Sequence, residues 1–392
     1  MNEASPPVAP LDGVTVLDLT QFLAGPYCTQ ILGDLGAEII KIEPPVGDSS
    51  RSVPPHFIAG DSAYYVSTNR NKRSAVLDLR SEEGRESLRG LIARSDVLVE
   101  NYRPGVLERL GFTYEAVAAD QPEIVWCSIS GFGQDGPYRD RPAYDMIVQA
   151  LSGGMSLTGE RGGRPVRAGV PLGDLGAGMY GAIGILAALE RRRRTGQGDR
   201  IDVSMLDCQV SMLSYQAAYY LHSGEVPGPQ GRGHDAIPTY RCFTAADGLD
   251  VAVTANTERM WVSLCEVLGL PELVKDSRFA TPGDRLRNRD ALEPMLEHAF
   301  LARPADEWVE LLEEGGIPVA PVNTLDRALA DPQVRHREMV VDLAGTRPDE
   351  RARVVGGPLR FARASARPQR YPPHLGQDQA EIIGLVDGPD HA

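Results

Sequence analysis

The residues best suited to chemistry lie in the stretch RAGVPLGDLGAGMYG, residues 167–181. It sets one carboxylate, Asp174, among five glycines, and its opening arginine is the only other charged residue. A carboxylate that is positioned and partly desolvated is a competent covalent nucleophile. Acid–base hydrolysis is poorly supported, because the stretch contains no His, Cys or second acid. The pattern therefore predicts a nucleophilic Asp174.

A second interpretation of Asp174 is structural, since an aspartate where a loop becomes a helix can cap free backbone N–H groups. Each glycine inside a helix costs about 0.8–1.0 kcal/mol relative to alanine. Four glycines follow in the first turns: Gly176, Gly178, Gly181 and Gly184. Either a closely packed backbone or a ligand at the carboxylate would require them. We favour the ligand, because Gly173 leaves the carboxylate open. We also expect the helix N-terminus to favour the anion and turn N–H groups to hold an oxyanion.

The elements that must position Asp174 form an α/β layer. GVTVLDL (13–19) and AEIIKIE (37–43) are predicted strands on either side of the helix QFLAGPYCTQILGDLG (21–36), and a βαβ unit implies a parallel sheet. Further buried strands are predicted at 74–79, 95–101, 123–130 and 199–206, and a helix at 181–194. This order indicates a doubly wound α/β fold. No G-x-G-x-x-G follows the first strand, which disfavours a dinucleotide cofactor.

The order of predicted strands and helices changes twice along the chain, which predicts two domains. Residues 1–205 are the amino-terminal part of a large α/β domain, 206–226 a linker helix and 227–324 a smaller α+β domain. From 325 to 392 extended apolar runs such as EMVVDL (338–343) return. We expect this last segment to rejoin the large domain.

Composition narrows the partners. The 392 residues carry a formal charge of −14, which disfavours general binding to nucleic acid or to anionic membrane surfaces. The five cysteines are scattered without a C-x-x-C pair, so we expect neither a zinc site nor a disulfide framework. The N-terminus has no signal-peptide pattern, and no apolar run reaches the roughly 18 residues of a membrane span. We expect a cytoplasmic protein.

The chain resembles the family III CoA-transferases, which include formyl-CoA transferase, carnitine CoA-transferase and the α-methylacyl-CoA racemases. The motifs that carry the resemblance are PLDGVTVLDLTQFLAGPYCTQILGDLGAEIIKIEPP (10–45), YYVSTNRNKRS (64–74), DVLVENYRPGVLERLGF (96–112), CSISGFGQDGPY (127–138), YDMIVQALSGGMSLTG (144–159) and AGVPLGDLGAGMYGAIGILAALERRRRTGQG (168–198). The resemblance implies a Rossmann-like large domain built from both chain ends, a smaller domain, and a homodimer whose subunits interlock.

The resemblance also implies a site. Asp174 matches the nucleophilic aspartate, which would carry CoA as an aspartyl-CoA thioester. Positions matched to CoA-binding segments are Leu23, Ala24, Lys72, Leu77, Arg80, Asn101, Tyr102, Arg103, Arg109 and Tyr144. Gly231, Gly233 and His234 resemble part of a glycine loop that closes over the active site. A CoA thioester is then a substrate, and no metal, ATP or tightly bound cofactor is expected.

Several of these residues have other interpretations. Arg70, Lys72 and Arg73 could form an ordinary solvated cationic cluster, or they could complement the phosphates of CoA. Arg109 at the end of a helical segment could simply interact with the helix dipole. His234 is more often a hydrogen-bonding loop residue than a catalyst.

The dipeptide Tyr144-Asp145 separates branches of the family. The racemases carry a catalytic His where this chain has Tyr144, followed by Asp145. Tyrosine, with an ordinary pKa near 10, replaces histidine poorly as a base, which favours a transferase. Alternatives are an acyl-CoA racemase and a silent acyl-CoA-binding protein.

Within the family, the sequence most resembles the succinate–hydroxymethylglutarate CoA-transferase branch. This resemblance implies short dicarboxylic acids as substrates. A distal carboxylate would call for a cationic or hydroxyl-rich acyl pocket, and Arg51, Arg164 and Arg167 are candidate partners.

Overall fold

The computed structural model describes residues 8–387, which divide into two units. Unit 1 comprises residues 8–154, 167–222 and 332–387, and unit 2 comprises residues 155–166 and 223–331. Both chain ends thus belong to unit 1. The division differs from the sequence-based boundaries in three respects: the short segment 155–166 joins the smaller unit, most of the expected linker 206–226 belongs to unit 1, and the smaller unit ends at Asp331 rather than at residue 324.

Eight strands occur between residues 8 and 204. They are β1 (Thr15–Asp18), β2 (Glu38–Glu43), β3 (Phe57–Ile58), β4 (Asp61–Ser62), β5 (Lys72–Val76), β6 (Val97–Glu100), β7 (Val125–Ser130) and β8 (Asp199–Ser204). Six form one sheet in the order β5-β2-β1-β6-β7-β8, and every pairing is parallel. The predicted parallel α/β sheet is confirmed. Its chain order reverses between β1 and β6, and ligands of such sheets bind beyond the carboxyl ends of the strands at this point.

Seven helices accompany these strands. They are α1 (Ala24–Asp34), α2 (Ala63–Thr68), α3 (Glu82–Ile92), α4 (Val106–Arg109), α5 (Tyr114–Asp120), α6 (Asp145–Leu151) and α7 (Leu172–Thr195). Helices cover both faces of the sheet, so β6 and β7 are buried at every residue and read as continuous apolar runs.

Helix α7 begins at Leu172, so Asp174 lies in its first turn as expected, and the predicted helix 181–194 is its later part. A Cβ at Gly178 would lie 2.7 Å from the backbone oxygen of Ala24 in α1, so the two helices approach too closely for a side chain. The other α7 glycines likewise face neighbouring side chains of the protein. Packing, rather than access for a ligand, therefore requires the glycines, and our preference at the sequence level was wrong.

By length and composition α7 could also cross a membrane, although half of its 18-residue apolar window is buried within the protein. We expected no apolar run of this length, so α7 departs from that expectation. Its close packing against α1 accounts for the Gly- and Ala-rich face, and core helices of globular proteins meet the same criterion.

The predicted linker helix 206–226 is two helices, α8 (Met205–Met212) and α9 (Ser214–Ser223), broken at Ser214, whose φ is +48°. The α-helices and strands of unit 2 are β9 (Tyr240–Thr244), β10 (Asp250–Thr254), α10 (Glu258–Val267), α11 (Pro282–Arg287), α12 (Arg289–Phe300), α13 (Ala305–Glu314), β11 (Val319–Pro321) and α14 (Leu325–Ala330). Its antiparallel sheet, in the order β11-β10-β9, packs against helices around Trp261, Phe300 and Trp308.

The final segment returns to unit 1. It contains α15 (Pro332–His336), β12 (Val340–Ala344), β13 (Arg351–Val355) and α16 (Gln379–Asp387). Strands β12 and β13 pair antiparallel. The carboxyl group of Asp378 and the side chain of Gln379 accept hydrogen bonds from the backbone of β5, so this segment is tied to the edge strand of the large sheet.

Candidate active site

A cavity of about 270 Å³ in unit 1 brings the Asp174 side chain together with loops that follow strands of the parallel sheet. These loops leave the carboxyl ends of β1, β6 and β7, so the cavity occupies the position that the topology favours for a ligand. Seven predicted site residues line it: Leu23, Ala24, Asn101, Tyr102, Arg103, Tyr144 and Asp174.

The loop after β1 is held in place by side chains that are distant in sequence. The Asn101 side chain accepts a hydrogen bond from Gln21 N at 2.9 Å and donates one to Gln21 O at 2.8 Å. Asp48 accepts a hydrogen bond from the backbone of Phe22, a residue with a φ of +65° that L-amino acids seldom adopt. Asn101 thus has a positioning role that sequence reasoning missed, alongside its predicted contact with CoA.

Asp174 lies in the first turn of α7 but does not cap it. The N-cap residue is Pro171, which forms no side-chain capping bond. The carboxylate of Asp145, the first residue of α6, instead accepts a hydrogen bond from Gly173 N at 2.8 Å. Its other oxygen accepts one from Gln149 at 2.7 Å. Because Asp145 satisfies the helix end, Asp174 is free of the capping role.

The environment of Asp174 disfavours its ionised form. Burial, and secondarily the nearby charge of Asp145, raise the pKa of Asp174 to about 7. No described residue donates a hydrogen bond that would lower this pKa. We expected the helix N-terminus to favour the anion, but burial outweighs that effect. The site therefore holds a carboxylate that titrates near neutral pH, as groups at active sites often do.

Tyr64 at the start of α2 is a neighbour of Asp174 that the sequence did not single out as a site residue. Burial raises the pKa of its phenol to about 12, and the next contribution is the negative charge of Asp174. Tyr64 is thus a protonated phenol at neutral pH, close enough to Asp174 for their charges to interact.

Three arginines line the cavity, Arg103 after β6 and Arg139 and Arg141 after β7. Sequence reasoning selected Arg103 but passed over the other two, because they lie in the YRDRPA run between two motifs of the family resemblance. Asp174 is the only carboxylate among the residues that line the cavity. In a chain with a formal charge of −14, this local excess of positive charge indicates an anionic ligand.

Lys72 does not reach the cavity. It is fully buried, and its ammonium group donates hydrogen bonds to Asp18 at 2.9 Å and to Pro26 O and Asn69 at 3.0 Å. All three protons are used within the protein, so Lys72 has no donor for a phosphate. The predicted contact of Lys72 with CoA is therefore wrong.

The other cations near Lys72 are also neither solvated nor free. Arg70 pairs with Asp34, and Arg73 pairs with Glu38 and Glu381. Both interpretations of the cluster are corrected, because each charge is neutralised inside unit 1.

Arg51 was a candidate for an acyl pocket, and the structure assigns its guanidinium to other partners. It pairs with Glu43 at 2.7 Å and Asp61 at 2.8 Å, and it also contacts the phenol of Tyr65. Arg167 is exposed and donates to the neighbouring backbone oxygen of Ala168. Neither lines the cavity, and Arg164 belongs to unit 2.

Three further predicted CoA contacts are not among the residues that line the cavity. Leu77 is buried in the core beside Leu19 and Ile40. The Arg80 side chain is 83% exposed and bonds to Asp78. Arg109 ends α4 on the exposed surface. The Arg109 guanidinium nevertheless lies beside Gly105, as does that of the cavity residue Arg139, so its contact with CoA stays a prediction.

The predicted loop residues belong to unit 2. Gly231 N donates to Gly159 O at 2.9 Å, and Gly233 forms an isolated antiparallel bridge with Arg241. His234 stacks on Tyr240 with ring centroids 5.5 Å apart. Gly233 and His234 thus lie along the edge of β9, whereas Gly231 is bonded to Gly159, and a role of these residues in closing an active site stays a prediction.

A larger cavity of about 920 Å³ lies at the amino ends of the same strands, where Thr15, Glu38 and Lys72 line it. Its Arg73 is paired with carboxylates, and Lys72 is internally bonded. We place the active site in the smaller cavity, because only that one contains the uncompensated Asp174. Among residues 8–387 no group of three or more His, Cys, Asp or Glu side chains could hold a metal ion, and all five cysteines are free thiols.

The fold and the cavity define an α/β enzyme with a carboxylate at the switch point of its parallel sheet. The family model described as CoA-transferase family III matches residues 11–379, and the chain belongs to this family. It is similar to succinyl-CoA:glutarate CoA-transferase of Homo sapiens, with 39% identity over 97% of this chain and 86% of that protein. It is also similar to acetyl-CoA:oxalate CoA-transferase of Acetobacter aceti, with 42% identity over 88% of this chain and 89% of that protein.

A solved structure gives the same result for the fold. The crystal structure of a CAIB/BAIF family protein from Brucella suis matches with a TM-score of 0.87 and 38% identity, over 97% of this chain and all of that chain. The predicted family is confirmed, and the protein is a CoA-transferase that acts on CoA thioesters. The racemase alternative is not favoured.

Proposed function

We propose that this CoA-transferase moves CoA between short dicarboxylic acids and that Asp174 carries CoA as a covalent aspartyl-CoA thioester. The observation that carries the proposal is an unpaired Asp174 carboxylate, with its pKa raised to about 7, in a cavity lined by three arginines. The names of the two relatives support the substrate class, because glutarate and oxalate are both dicarboxylic acids.

The proposed reaction needs no external energy source. An oxygen of ionised Asp174 attacks the thioester carbon of the donor, the C–S bond breaks, and CoA leaves as a thiolate with the bonding electrons. The thiolate then attacks the aspartyl carbonyl carbon of the resulting mixed anhydride, which releases the donor acid as a carboxylate. The acceptor carboxylate attacks the aspartyl-CoA thioester, and the same two steps in reverse regenerate Asp174. Each step conserves an activated acyl group.

The site favours this chemistry in two ways. A carboxylate destabilised by burial is more basic, and hence more nucleophilic, than one in water, while about half of it is still ionised near pH 7. The Gly173 to Asp145 hydrogen bond fixes the first turn of α7 and so the direction of the Asp174 side chain.

Trapping the covalent carrier tests the mechanism. The protein is incubated with succinyl-CoA and then with hydroxylamine, which converts an aspartyl thioester or anhydride into a hydroxamate, and the adduct is located by peptide mass spectrometry. We expect the adduct on Asp174 and none in Asp174→Asn. We also expect transfer to glutarate to fall at least about 10³-fold in that variant, because the nucleophile is lost.

The trapping experiment has clear contrary outcomes. A hydroxamate on another acidic residue would move the nucleophile elsewhere. Full transfer activity without any adduct would contradict the covalent mechanism. An Asp174→Asn variant that melts at or above the parent's temperature would show that the loss is chemical rather than a failure to fold.

We also propose that the protein is a homodimer. Unit 1 exposes a run of large apolar side chains on α6 to α9, far more than isolated surface residues would give. They are Met146, Ile147, Leu151, Met179, Tyr180, Ile183, Leu186, Val210, Met212, Tyr215, Tyr219, Tyr220 and Leu221. Light scattering coupled to size exclusion should give twice the 42.5 kDa chain mass, and a monomeric mass would contradict the proposal.

A further inference from the structure

The cavity is too small to enclose a whole CoA thioester. At about 270 Å³ it falls just below the roughly 300–1,000 Å³ of sites that enclose drug-sized ligands. It therefore suits the reacting end of the substrate, the acyl group and the thioester. An acyl group that carries its own carboxylate would place an anion here, and an anion removed from water requires a cationic or strongly donating partner.

The three arginines of the cavity are not equivalent. Arg139 lies 3.7 Å from Glu108 and 3.9 Å from Asp140, and its guanidinium lies beside Gly105. It is thus directed to the turn after β6, the turn that also carries Arg103. Arg141 pairs with no carboxylate among the described residues. Arg103 and Arg139 therefore form one cationic group at the turn after β6, and Arg141 is not part of that group.

The Arg141 guanidinium is positioned without losing hydrogen-bond donors. Its central carbon lies 3.7 Å from the centre of the Tyr138 ring, the geometry of a cation–π contact. Stacking holds the guanidinium plane, while its five N–H groups stay in that plane and none of them bonds to a described residue. Planar donors in a fixed fork match the two oxygens of a carboxylate.

Arg141 also belongs to the segment that shapes the acyl end. Three residues further on, Tyr144 lines the same cavity, and its neighbour Asp145 accepts the hydrogen bond that anchors the Asp174 helix. We propose that Arg141 binds the distal carboxylate of a dicarboxylic acyl group whose thioester faces Asp174. This assignment rests on the proposed function, and it makes Arg141 a residue that determines substrate specificity.

Direct binding tests the proposal without turnover. In the Asp174→Asn background, dissociation constants are measured by calorimetry for glutaryl-CoA, pentanoyl-CoA and free CoA. The two thioesters have the same chain length and differ in the distal carboxylate. We expect the parent of this series to prefer glutaryl-CoA about tenfold, as one charged hydrogen-bonded pair would give.

Three variants of that parent separate the possible roles. Arg141→Gln should weaken glutaryl-CoA about tenfold and leave pentanoyl-CoA and free CoA within about twofold. Arg141→Lys keeps the charge but not the fork, and should restore part of the preference. Arg103→Gln, the matched control from the β6 turn, should weaken all three ligands by the same factor.

Each contrary result is distinct. If Arg141→Gln weakens all three ligands equally, Arg141 binds a phosphate of CoA and the proposal is overturned. If it changes no ligand, Arg141 binds neither anion, which also overturns it. Equal binding of glutaryl-CoA and pentanoyl-CoA by the parent would remove dicarboxylate recognition while CoA binding stands. If no CoA ligand binds at all, the proposed function fails rather than the role of Arg141.

Discussion

Two aspartates of unit 1, Asp18 and Asp174, show how differently the same side chain can be treated. Asp18 at the end of β1 is completely buried, and it accepts hydrogen bonds from Thr20, Thr29 and Lys72. Burial alone would raise its pKa, but Lys72 and the other donors bring the pKa of Asp18 down to about 2. Asp174 is less buried and has no donor, and its pKa rises to about 7.

The comparison shows that hydrogen-bond donors and nearby positive charge, more than burial, determine the pKa and the reactivity of a carboxylate. Asp18 is a stable anion whose lone pairs are occupied by hydrogen bonds. It is therefore unreactive, and it stabilises the strand ends beneath the cavity. Asp174 is a destabilised anion with its lone pairs available, so it can attack an electrophile. Lys41 extends the hydrogen-bond network around Asp18, since its ammonium group pairs with Asp48 and donates to Thr20 O. Asp48 in turn accepts a hydrogen bond from Phe22 N.

The same substitution should therefore have opposite effects on stability at the two sites, and Asp18 should show the larger one. Asp18→Asn leaves the buried Lys72 ammonium without its counter-charge, and we expect the free energy of unfolding to fall by about 3–5 kcal/mol. Adding Lys72→Met should restore much of the loss, because the double variant no longer buries an unpaired charge. Urea unfolding of the four proteins measures this cycle.

The pH dependence of the Asp18 effect has a defined sign. The pKa of Asp18 in the folded protein is lowered, so its stabilising contribution is fully present above the ordinary aspartate pKa of 3.8 and is lost as pH falls toward 2. Burial lowers the pKa of Lys72 to about 8, so the effect of Asp18→Asn should be largest near pH 6, where the Lys72 ammonium is charged, and should shrink toward pH 8. Equal stability of Asp18→Asn and the parent at pH 7 would contradict the compensated network.

Asp174→Asn should stabilise the protein, by about 1–3 kcal/mol above pH 8 after allowance for solvent screening. The pKa of Asp174 is raised when the protein folds, so the folded form gains stability from the protonated carboxyl at low pH. That stability is lost as pH rises from 3.8 through about 7. The amide does not titrate.

The difference in melting temperature between Asp174→Asn and the parent measures the stability that the protein loses when Asp174 ionises. It should be near zero at pH 4, grow between pH 5 and 7, and level off above pH 8. Asp140→Asn removes an exposed carboxylate beside Arg139 and is the control for net charge. Its difference in melting temperature from the parent should not grow with pH. A difference that stays flat with pH would mean that Asp174 is not destabilised as an anion.

The fold was largely predictable because its signals are local. Alternation and β-branched residues in 13–19 and 37–43 identified the βαβ unit, and the order of the elements implied the parallel sheet. The reason for the glycines of α7 was misjudged, because the sequence does not show that α1 approaches too closely for a side chain at Gly178. Tertiary packing outweighed the local preference there.

The site was predictable in part, for a related physical reason. Motifs identified the loops that meet at the switch point, and Asn101 and Tyr144, which we expected to contact CoA, line the same cavity as Asp174. Sequence type alone could not tell which cations are available. Lys72 and Arg141 have the same charge, but Lys72 is paired with Asp18 from 54 residues away, whereas Arg141 is stacked on its close neighbour Tyr138. Only long-range pairing distinguishes a structural cation from a binding one.

The smallest expected effect concerns Asp145, which supplies part of the difference between the two aspartates. Asp145→Asn removes a negative charge near Asp174 but keeps a side-chain oxygen that can accept the hydrogen bond from Gly173. Because that charge helps to raise the pKa of Asp174, the acid limb of the pH profile of kcat/KM should move to lower pH. The alkaline plateau should fall only slightly, since a less basic carboxylate is a weaker nucleophile.

Two controls make the Asp145 result specific. Asp140→Asn changes the net charge equally at an exposed position, so an equal shift in that variant would assign the effect to overall charge. Asp145→Ala removes both the charge and the acceptor, and should cost about 1 kcal/mol of stability through the lost helix cap. An unchanged acid limb in Asp145→Asn would leave burial as the only source of the raised pKa, and Asp145 would then act on Asp174 only by holding the first turn of its helix.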